Sequence, residues 1–486
     1  MDQNESKMQI AVLIDSENVS SRYASIIFNE IETCADPDAH EPELVEIEKH
    51  LRKRKYIGQR EELVKNLPHS KVLHTIDERE QICDNCGSTM VKVGEEFVRT
   101  EVQFIPAKLK VIDHYRETYE CRSCRKNGTP YMEKAPVPYP PVLHSLASAS
   151  TITWLIHQKF ELSIPLYRQE KEWEALGLCL SRATMSNWLL VVYRDWLVHI
   201  VHRLKLELLK QRYLHIDETH VQVLKEPGRK NTSDSYMWVY CSIRDAVNPI
   251  RYFEYQPGRS GKYPEAFLRE YEGYIHTDAY SGYNAVSGVK RCLCYTHLRR
   301  AFVDALPKDI HNSEASKPAE AILRLNQLFN IESELEALPP DQKKKERLIR
   351  EKPLLEAFWS WAEKSAIGEL PKSKLSKAFH YALNNREGFW NYLEDGNCSI
   401  SNSLAENCIR PFVIGRKNWL FSGSPKGAEA SAGIYTLVET AKANGLAPMK
   451  YIKYILSDMP GSAFLEHPEY LDDYLPWNPL VKEFCR

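Results

Sequence analysis

Between Tyr213 and Ala305 the chain alternates extended and helical runs, and this block constrains the fold more than any other. YLHIDETHVQVL, SYMWVYCSI and IRYFEYQ are three β-rich runs separated by turn-prone stretches. KYPEAFLREYE then reads as a helix, GYIHTDAYSG as a fourth strand ending in a loop, and KRCLCYTH as a short fifth. A helix from Leu298 to Ala305 closes the block. Three strands, a helix and a further strand in one sheet make the centre of the first strand and the end of the fourth neighbours. The expected class is mixed α/β and multidomain.

That juxtaposition concerns two carboxylates. Asp217 lies inside the first strand in an apolar, aromatic setting, and Asp278 ends the fourth, just before a glycine turn. Glu406 lies on a later helix in SNSLAENCIRPFVIGRK, where Asn402, Glu406 and Arg410 recur at helical spacing and so would share one face. Singly, an Asp at a strand end is usually a cap and a helical Glu is usually solvated. Converging, three carboxylates repel unless divalent cations hold them, which is the arrangement of two-metal phosphoryl transfer. Arg410 and Lys417 could then meet phosphates. Glu218 competes with Asp217, and the strand period does not choose between them. Cys294 and His297 in CYTHLRR have a metal-like spacing but no second pair, so His297 and Arg300 are read as contacting DNA or the core beside the site.

The thiols carry a second pattern. Cys83 and Cys86, then Cys121 and Cys124, form two CxxC knuckles 34 residues apart, suited to one tetrahedral Cys₄ zinc site. The strand-like EEFVRTEVQFIP and KLKVIDHYRETYEC between them suggest a zinc ribbon. A redox CxxC would need to open a helix in a βαβ setting, which is missing. Net charge is only −2, with 64 Lys+Arg against 66 Asp+Glu, which by itself does not indicate an anionic partner. The positive charge is local. It gathers from Arg52 to Arg60, at Lys108, Lys110, Arg116, Arg122, Arg125 and Lys126, and around Arg410 to Lys417. A basic zinc module suits DNA contact. No run approaches the roughly 18–20 apolar residues of a membrane span, and no export signal is recognisable.

Residues 142–208 read as helical throughout. LYRQEKEWEALGLCLSRATMSNWLL holds a helix, a turn at Gly177 and a second helix opened by Ser181. That is the shape of a helix-turn-helix, or of a plain helical hairpin. Residues 317–393 return to helix as an insertion, and Ser401–Leu420 and Gly427–Ala443 make two more helices.

From about Arg52 onward the chain resembles the DDE transposases of the insertion-sequence-sixty-six family. The resemblance is carried by CDNCG and YECRSC, IPLYRQE with LGLCLSRATMSNW, HIDETHVQV, HTDAYSGY and CYTHLRRAF. The long NSLAENCIRPFVIGRKNWLFSGSPKGAEASAGIYTLVETAKANGLAP and a late YLPW complete it. It implies an RNase H-like core with a helical insertion, preceded by a zinc-finger domain. Asp217, Asp278 and Glu406 would be its triad, holding Mg²⁺ or Mn²⁺, and Asp217 is thereby chosen over Glu218. Implied partners are transposon-end and target DNA, a homo-oligomer at synapsis and accessory proteins of the same element, in a prokaryotic cytoplasm at the nucleoid. The alternative is a zinc-dependent DNA-binding protein with an inactive nuclease core.

The N-terminus departs from the family. IAVLIDSENVSSRYASIIFNEI resembles the first strand and helix of an NYN (PIN-like) nuclease, with Asp15 and Asn18 at its metal end, and no room remains for the rest. The expected organisation is therefore an NYN-like remnant and acidic linker (1–50), a basic linker (51–80), a zinc finger (81–130) and a helical DNA-binding domain (140–208). The catalytic domain (210–443, insertion about 307–393) and a C-terminal tail (444–486) follow.

Overall fold

The computed structural model describes residues 65, 70–75, 79, 81, 85, 88–100, 107–129, 131–307 and 316–486. The NYN-like segment, with Asp15 and Asn18, and the Arg52–Arg60 cluster lie outside them. Two compact units divide at Phe104. In the first, the described residues are mostly without regular secondary structure and exposed, with Lys92 paired to Glu95 at 2.5 Å.

The second unit opens on a small ββ element. Strand β1 (Thr118–Glu120) pairs antiparallel with β2 (Met132–Lys134), and between them Cys121 precedes the one-turn helix α1 (Arg122–Lys126). The longer strands expected over Glu95–Pro106 and Lys108–Cys121 do not form among the described residues, where only Thr118–Glu120 is paired. Val98, Val111, Ile112 and Tyr115 are exposed there, so the alternating pattern has no apolar face to cover it.

Four helices follow: α2 (Ala149–Ile156), α3 (Leu166–Ala175), α4 (Arg182–Val192) and α5 (Val198–Leu209). Gly177, at φ +92°, makes the left-handed turn between α3 and α4, and the Ser181 hydroxyl caps α4 by accepting from the Thr184 amide at 3.2 Å. Glu170 on α3 accepts from the Arg182 amide at 2.9 Å, fixing one helix start against the other.

The mixed sheet has the order β5–β4–β3–β6–β7. Strands β3 (Tyr213–Val223), β4 (Asp234–Ser242) and β5 (Arg251–Gln256) run antiparallel. After a short helix α6 (Lys262–Phe267), β6 (Tyr274–Thr277) and β7 (Lys290–Leu293) join β3 in parallel, and α7 (Tyr295–Val303) leaves the sheet. Helix α6 stops several residues short of the expected Glu272, and β6 begins soon after it. The insertion supplies α8 (Lys317–Glu334), α9 (Pro340–Glu346), α10 (Lys352–Ala366), α11 (Lys374–Asn384) and α12 (Arg386–Trp390). The chain then returns as α13 (Ser403–Trp419), β8 (Phe421–Ser422) beside β3, and α14 (Pro425–Ala443).

Helix α14 covers the outer strand of the sheet. Thr436 and Thr440, four residues apart, accept hydrogen bonds from the backbone amides of Phe253 (2.8 Å) and Arg251 (3.1 Å) on β5. Its Gly433 sits against the Tyr193 ring, where a Cβ would lie 2.1 Å from a ring carbon. Edge amides that could template another strand are satisfied within the chain.

One apolar core runs from Val142 in the helical region through the sheet to Cys485. It takes in Leu155, Trp188 and Leu204, then Ile216 and Val239, then Tyr451 and Ile455 of α15 (Pro448–Asp458) and Val481 of α16 (Pro479–Cys485). Residues 444–486, expected as a tail, thus fold onto the main core, because α15 presents Tyr451, Ile452, Ile455 and Leu456 on one helical face. A second core joins β7 and α7 to the insertion through Leu298, Phe302, Leu325, Phe358, Trp359 and Phe389. Among the described residues no helix is long and apolar enough to cross a membrane.

Candidate active site

The parallel pairing of β3 and β6 sets the site. His215 and His276 are partners in register, and their rings stack at 4.2 Å, 12° from coplanar. Asp217 and Asp278 each stand two residues further along, at the C-terminal end of the parallel pairing. Asp278 is held by its loop: its carboxylate accepts from the Tyr280 amide at 2.9 Å, while Arg291 on β7 donates to the carbonyls of Asp278 (2.6 Å) and Tyr280 (2.8 Å).

The third carboxylate arrives through Asn402. This residue is the buried N-cap of α13, with φ −93° and ψ 16°, and its carbonyl accepts from the amides of Ala405 (3.1 Å) and Glu406 (3.4 Å). Its Nδ2 donates to the Ile216 carbonyl at 2.8 Å, its Oδ1 meets His215 Nδ1 at 3.0 Å, and its amide donates to the Cys294 sulfur at 3.1 Å. Helix α13 is thereby bolted to β3 next to Asp217, and Glu406 follows one turn later. Arg416, near the other end of α13, reaches Thr219 on the same strand at 2.9 Å.

Glu218 and Asp217 differ in their partners. Glu218, with a side chain 2% exposed, forms an ion pair with Arg259 at 2.6 Å and accepts from the Tyr283 hydroxyl. Arg259 stacks on Tyr280, 3.9 Å from the ring centre, and lies 3.8 Å from Asp278. Asp217 has no ion pair among the described residues. Burial pushes it up to about 7, and the charges of Glu218, Asp278 and Glu406 add to that. One Glu406 oxygen, Oε1, is buried without a hydrogen-bond partner, with His297 at 3.7 Å and Arg300 at 4.0 Å from the carboxylate. Cys294, His297 and Glu406 also bring donor atoms within 4.8 Å of one another. An open cleft of about 340 Å³, lined by Arg259, Asp278, Tyr280, His297, Arg300 and Tyr381, leads to these groups.

A carboxyl group crowded by like charge and an orphaned carboxylate oxygen are donors suited to a hard divalent cation. Of the sequence-derived residues, Asp217, Asp278, Glu406, His297 and Arg300 come together. Arg410 and Lys417 lie on exposed positions of α13, with no side-chain ion pair among the described residues. Cys121 and Cys124 flank the start of α1, and the Cys121 thiol is drawn down by hydrogen bonds from the Cys124 backbone and side chain. Cys83 and Cys86 lie outside the described residues. Arg259, Arg291, Tyr283 and His215 went unread in the sequence. The two histidines at equivalent places in YLHID and YIHTD were a usable signal.

Residues 144–430 match the model of a family described as Transposase IS66 family, more than half of the chain. The chain belongs to the IS66 transposase family. Residues 80–125 match the zinc-finger binding domain of transposase IS66, so this transposase carries the family's zinc-finger module and DNA is its partner. Among relatives in Sinorhizobium fredii (strain NBRC 101917 / NGR234), the uncharacterized protein y4hP is 27% identical over 417 residues, covering 81% of this transposase and 73% of y4hP. The uncharacterized protein y4jD is 26% identical over 430 residues, covering 86% and 81% of the two chains.

Proposed function

We propose that this transposase cuts and joins DNA strands at transposon ends by DDE chemistry on an RNase H-like core, with Asp217, Asp278 and Glu406 as the acting carboxylates. The observation that carries the reading is the state of Asp217: half-buried, surrounded by like charge and without an ion pair among the described residues, while its neighbour Glu218 is neutralised by Arg259. The strand order, with three antiparallel strands followed by two parallel ones, supports the core assignment. Bound Mg²⁺ or Mn²⁺ would activate the attacking oxygen of water or a 3′-hydroxyl and stabilise the leaving oxygen.

The protein's own groups do the rest. Asp217 and Asp278 are held rigid by the paired strands, Glu406 by the Asn402 anchor. Arg300 and His297 at the cleft, with Arg410 and Lys417 further along α13, meet backbone phosphates. Arg259 keeps Glu218 from competing for cations. Helices α3 and α4 form the helical DNA-binding domain, the four-cysteine module binds zinc, and two or more copies synapse the ends, assisted by accessory proteins of the element.

The test is a strand-cleavage assay on labelled element ends with Asp217→Asn, Asp278→Asn and Glu406→Gln. Each should lose at least about 10²-fold in cleavage while end binding stays within a few-fold. Cleavage retained by Asp278→Asn would overturn the assignment. Binding without cleavage in the unaltered chain would favour a DNA-binding protein with an inactive core.

A further inference from the structure

Below the carboxylates, on the same strands, lies a second group of donors. His276 of β6 lies beside Cys292 of β7, its register partner, and Cys398 comes from the segment between the insertion and α13. The three side chains are each 1% exposed, and one ligand atom from each lies within 4.8 Å of the other two. We propose that His276, Cys292 and Cys398 form a thiolate-rich metal site for zinc, separate from both the carboxylates and the four-cysteine module.

Three observations favour an ion over packing alone. His276 Nδ1 lies 3.1 Å from the Leu214 carbonyl and donates to it, which leaves the Nε2 lone pair on the side of the cysteines. A ring nitrogen fixed by a backbone carbonyl is how metal-binding histidines are commonly oriented. Nε2 does accept from the Ser399 amide at 2.9 Å, and zinc would replace that single proton donor. Second, the two thiols face one another: the Cys292 thiol donates to Cys398, and the His276 ring stands beside the pair. Third, two thiolates and Zn²⁺ sum to zero charge, so the set can be buried in an apolar core without a further counter-ion. Sulfur and imidazole donors select zinc over Mg²⁺ or Mn²⁺. With three protein donors, the fourth position falls to water.

The segment is prepared for such a role. Arg347 of the insertion, itself fully buried, donates to the Cys398 carbonyl at 2.8 Å and is ion-paired with Glu332 at 2.6 Å. Zinc would then join the strand that leads into Asp278 to the segment that leads, through Asn402, to Glu406. Binding releases the protons of the two thiols to solvent.

The experiment is metal analysis of the full chain purified in the presence of zinc. Folded Cys292→Ser/Cys398→Ser protein should carry one zinc fewer per chain than the unaltered protein, whatever the four-cysteine module holds. Protein with Cys83, Cys86, Cys121 and Cys124 all changed to Ser, loaded with Co²⁺, should keep a sulfur-to-cobalt charge-transfer band, and this arm decides the matter if the first variant does not fold. An unchanged zinc count in the folded double variant would overturn the site. So would loss of the band in the protein lacking those four cysteines, or a Cys292–Cys398 disulfide recovered by peptide mapping of the native chain.

Discussion

Asn402 and His215 are joined by a hydrogen bond of 3.0 Å between Oδ1 and Nδ1, and this contact decides where the Glu406 helix meets the sheet. Because Asn402 Nδ2 is committed to the Ile216 carbonyl, Oδ1 must accept and His215 must carry its proton on Nδ1. Asn402→Ala would strand a buried imidazole N–H and a strand carbonyl. We expect a loss of about 2–4 kcal/mol in chemical denaturation and a larger fall in cleavage than in end binding. Wild-type stability in this variant would show that the anchor lies elsewhere.

Arg259 and Glu218 form a couple whose halves are unequal in exposure, 40% for the arginine side chain and 2% for the glutamate. Removing the arginine leaves a buried carboxylate with only Tyr283 for company. Arg259→Ala should cost about 1–3 kcal/mol, the lower range reflecting the partly solvated guanidinium. Adding Glu218→Gln to the same chain should restore most of the melting temperature. A second substitution that fails to help would mean the loss is one of packing on Tyr280.

Divalent cations should stabilise the chain in a pH-dependent way. Asp217 is pushed up to about 7, so below that value a proton competes with the cation. Mg²⁺ at about a hundredfold excess over its Kd should add about 2.7 kcal/mol at pH 8, and clearly less at pH 6. Asp217→Asn should lose most of the increment at both. Melting curves with and without Mg²⁺ read this directly, and an equal increment in Asp217→Asn would exclude the residue as a ligand.

The insertion carries a second pH response. Burial, then the Glu332 carboxylate, pushes Glu351 up to about 8 from the 4.5 of an ordinary glutamate. Between those values the folded chain keeps a proton that the unfolded chain has released. The contribution is therefore complete below about pH 4.5 and drains away as pH rises towards 8. Glu351→Gln keeps an acceptor for the Tyr392 hydroxyl, which now donates at 2.6 Å, and has nothing to ionise. Its melting temperature should exceed the unaltered chain's by about 2–4 °C at pH 8, and the two should converge near pH 5.

Much of the sheet was legible because its signal is local: β-branched and aromatic runs such as SYMWVYCSI become strands wherever they are buried on both faces. The neighbourhood of Asp217 and Asp278 followed from strand order alone. What the sequence hid was long-range. Arg259 sits in the turn QPGRSG and Arg291 lies in a short strand, and nothing near either residue names Glu218 or the Asp278 loop as its partner. Asn402 matched a helical spacing, but nothing near it announces that its side chain, at the N-cap, is spent on β3. Among the described residues of the cysteine module's strand-like runs, only Thr118–Glu120 pairs. Alternation without a face to bury does not fold.

The helical region and the sheet share one core from Val142 to Cys485, which bears on how DNA would be handled. Domains joined by a linker can search independently, with the cut site found by diffusion of one relative to the other. Here α3 and α4 belong to the same packed body as Asp217, so DNA seated on that pair of helices would stand at a set distance from the carboxylates. The protein would then measure its cut from the bound sequence as a rigid gauge does. Adding or removing base pairs between the contacted element and the scissile bond should therefore move the cut to whichever bond then lies at that set distance.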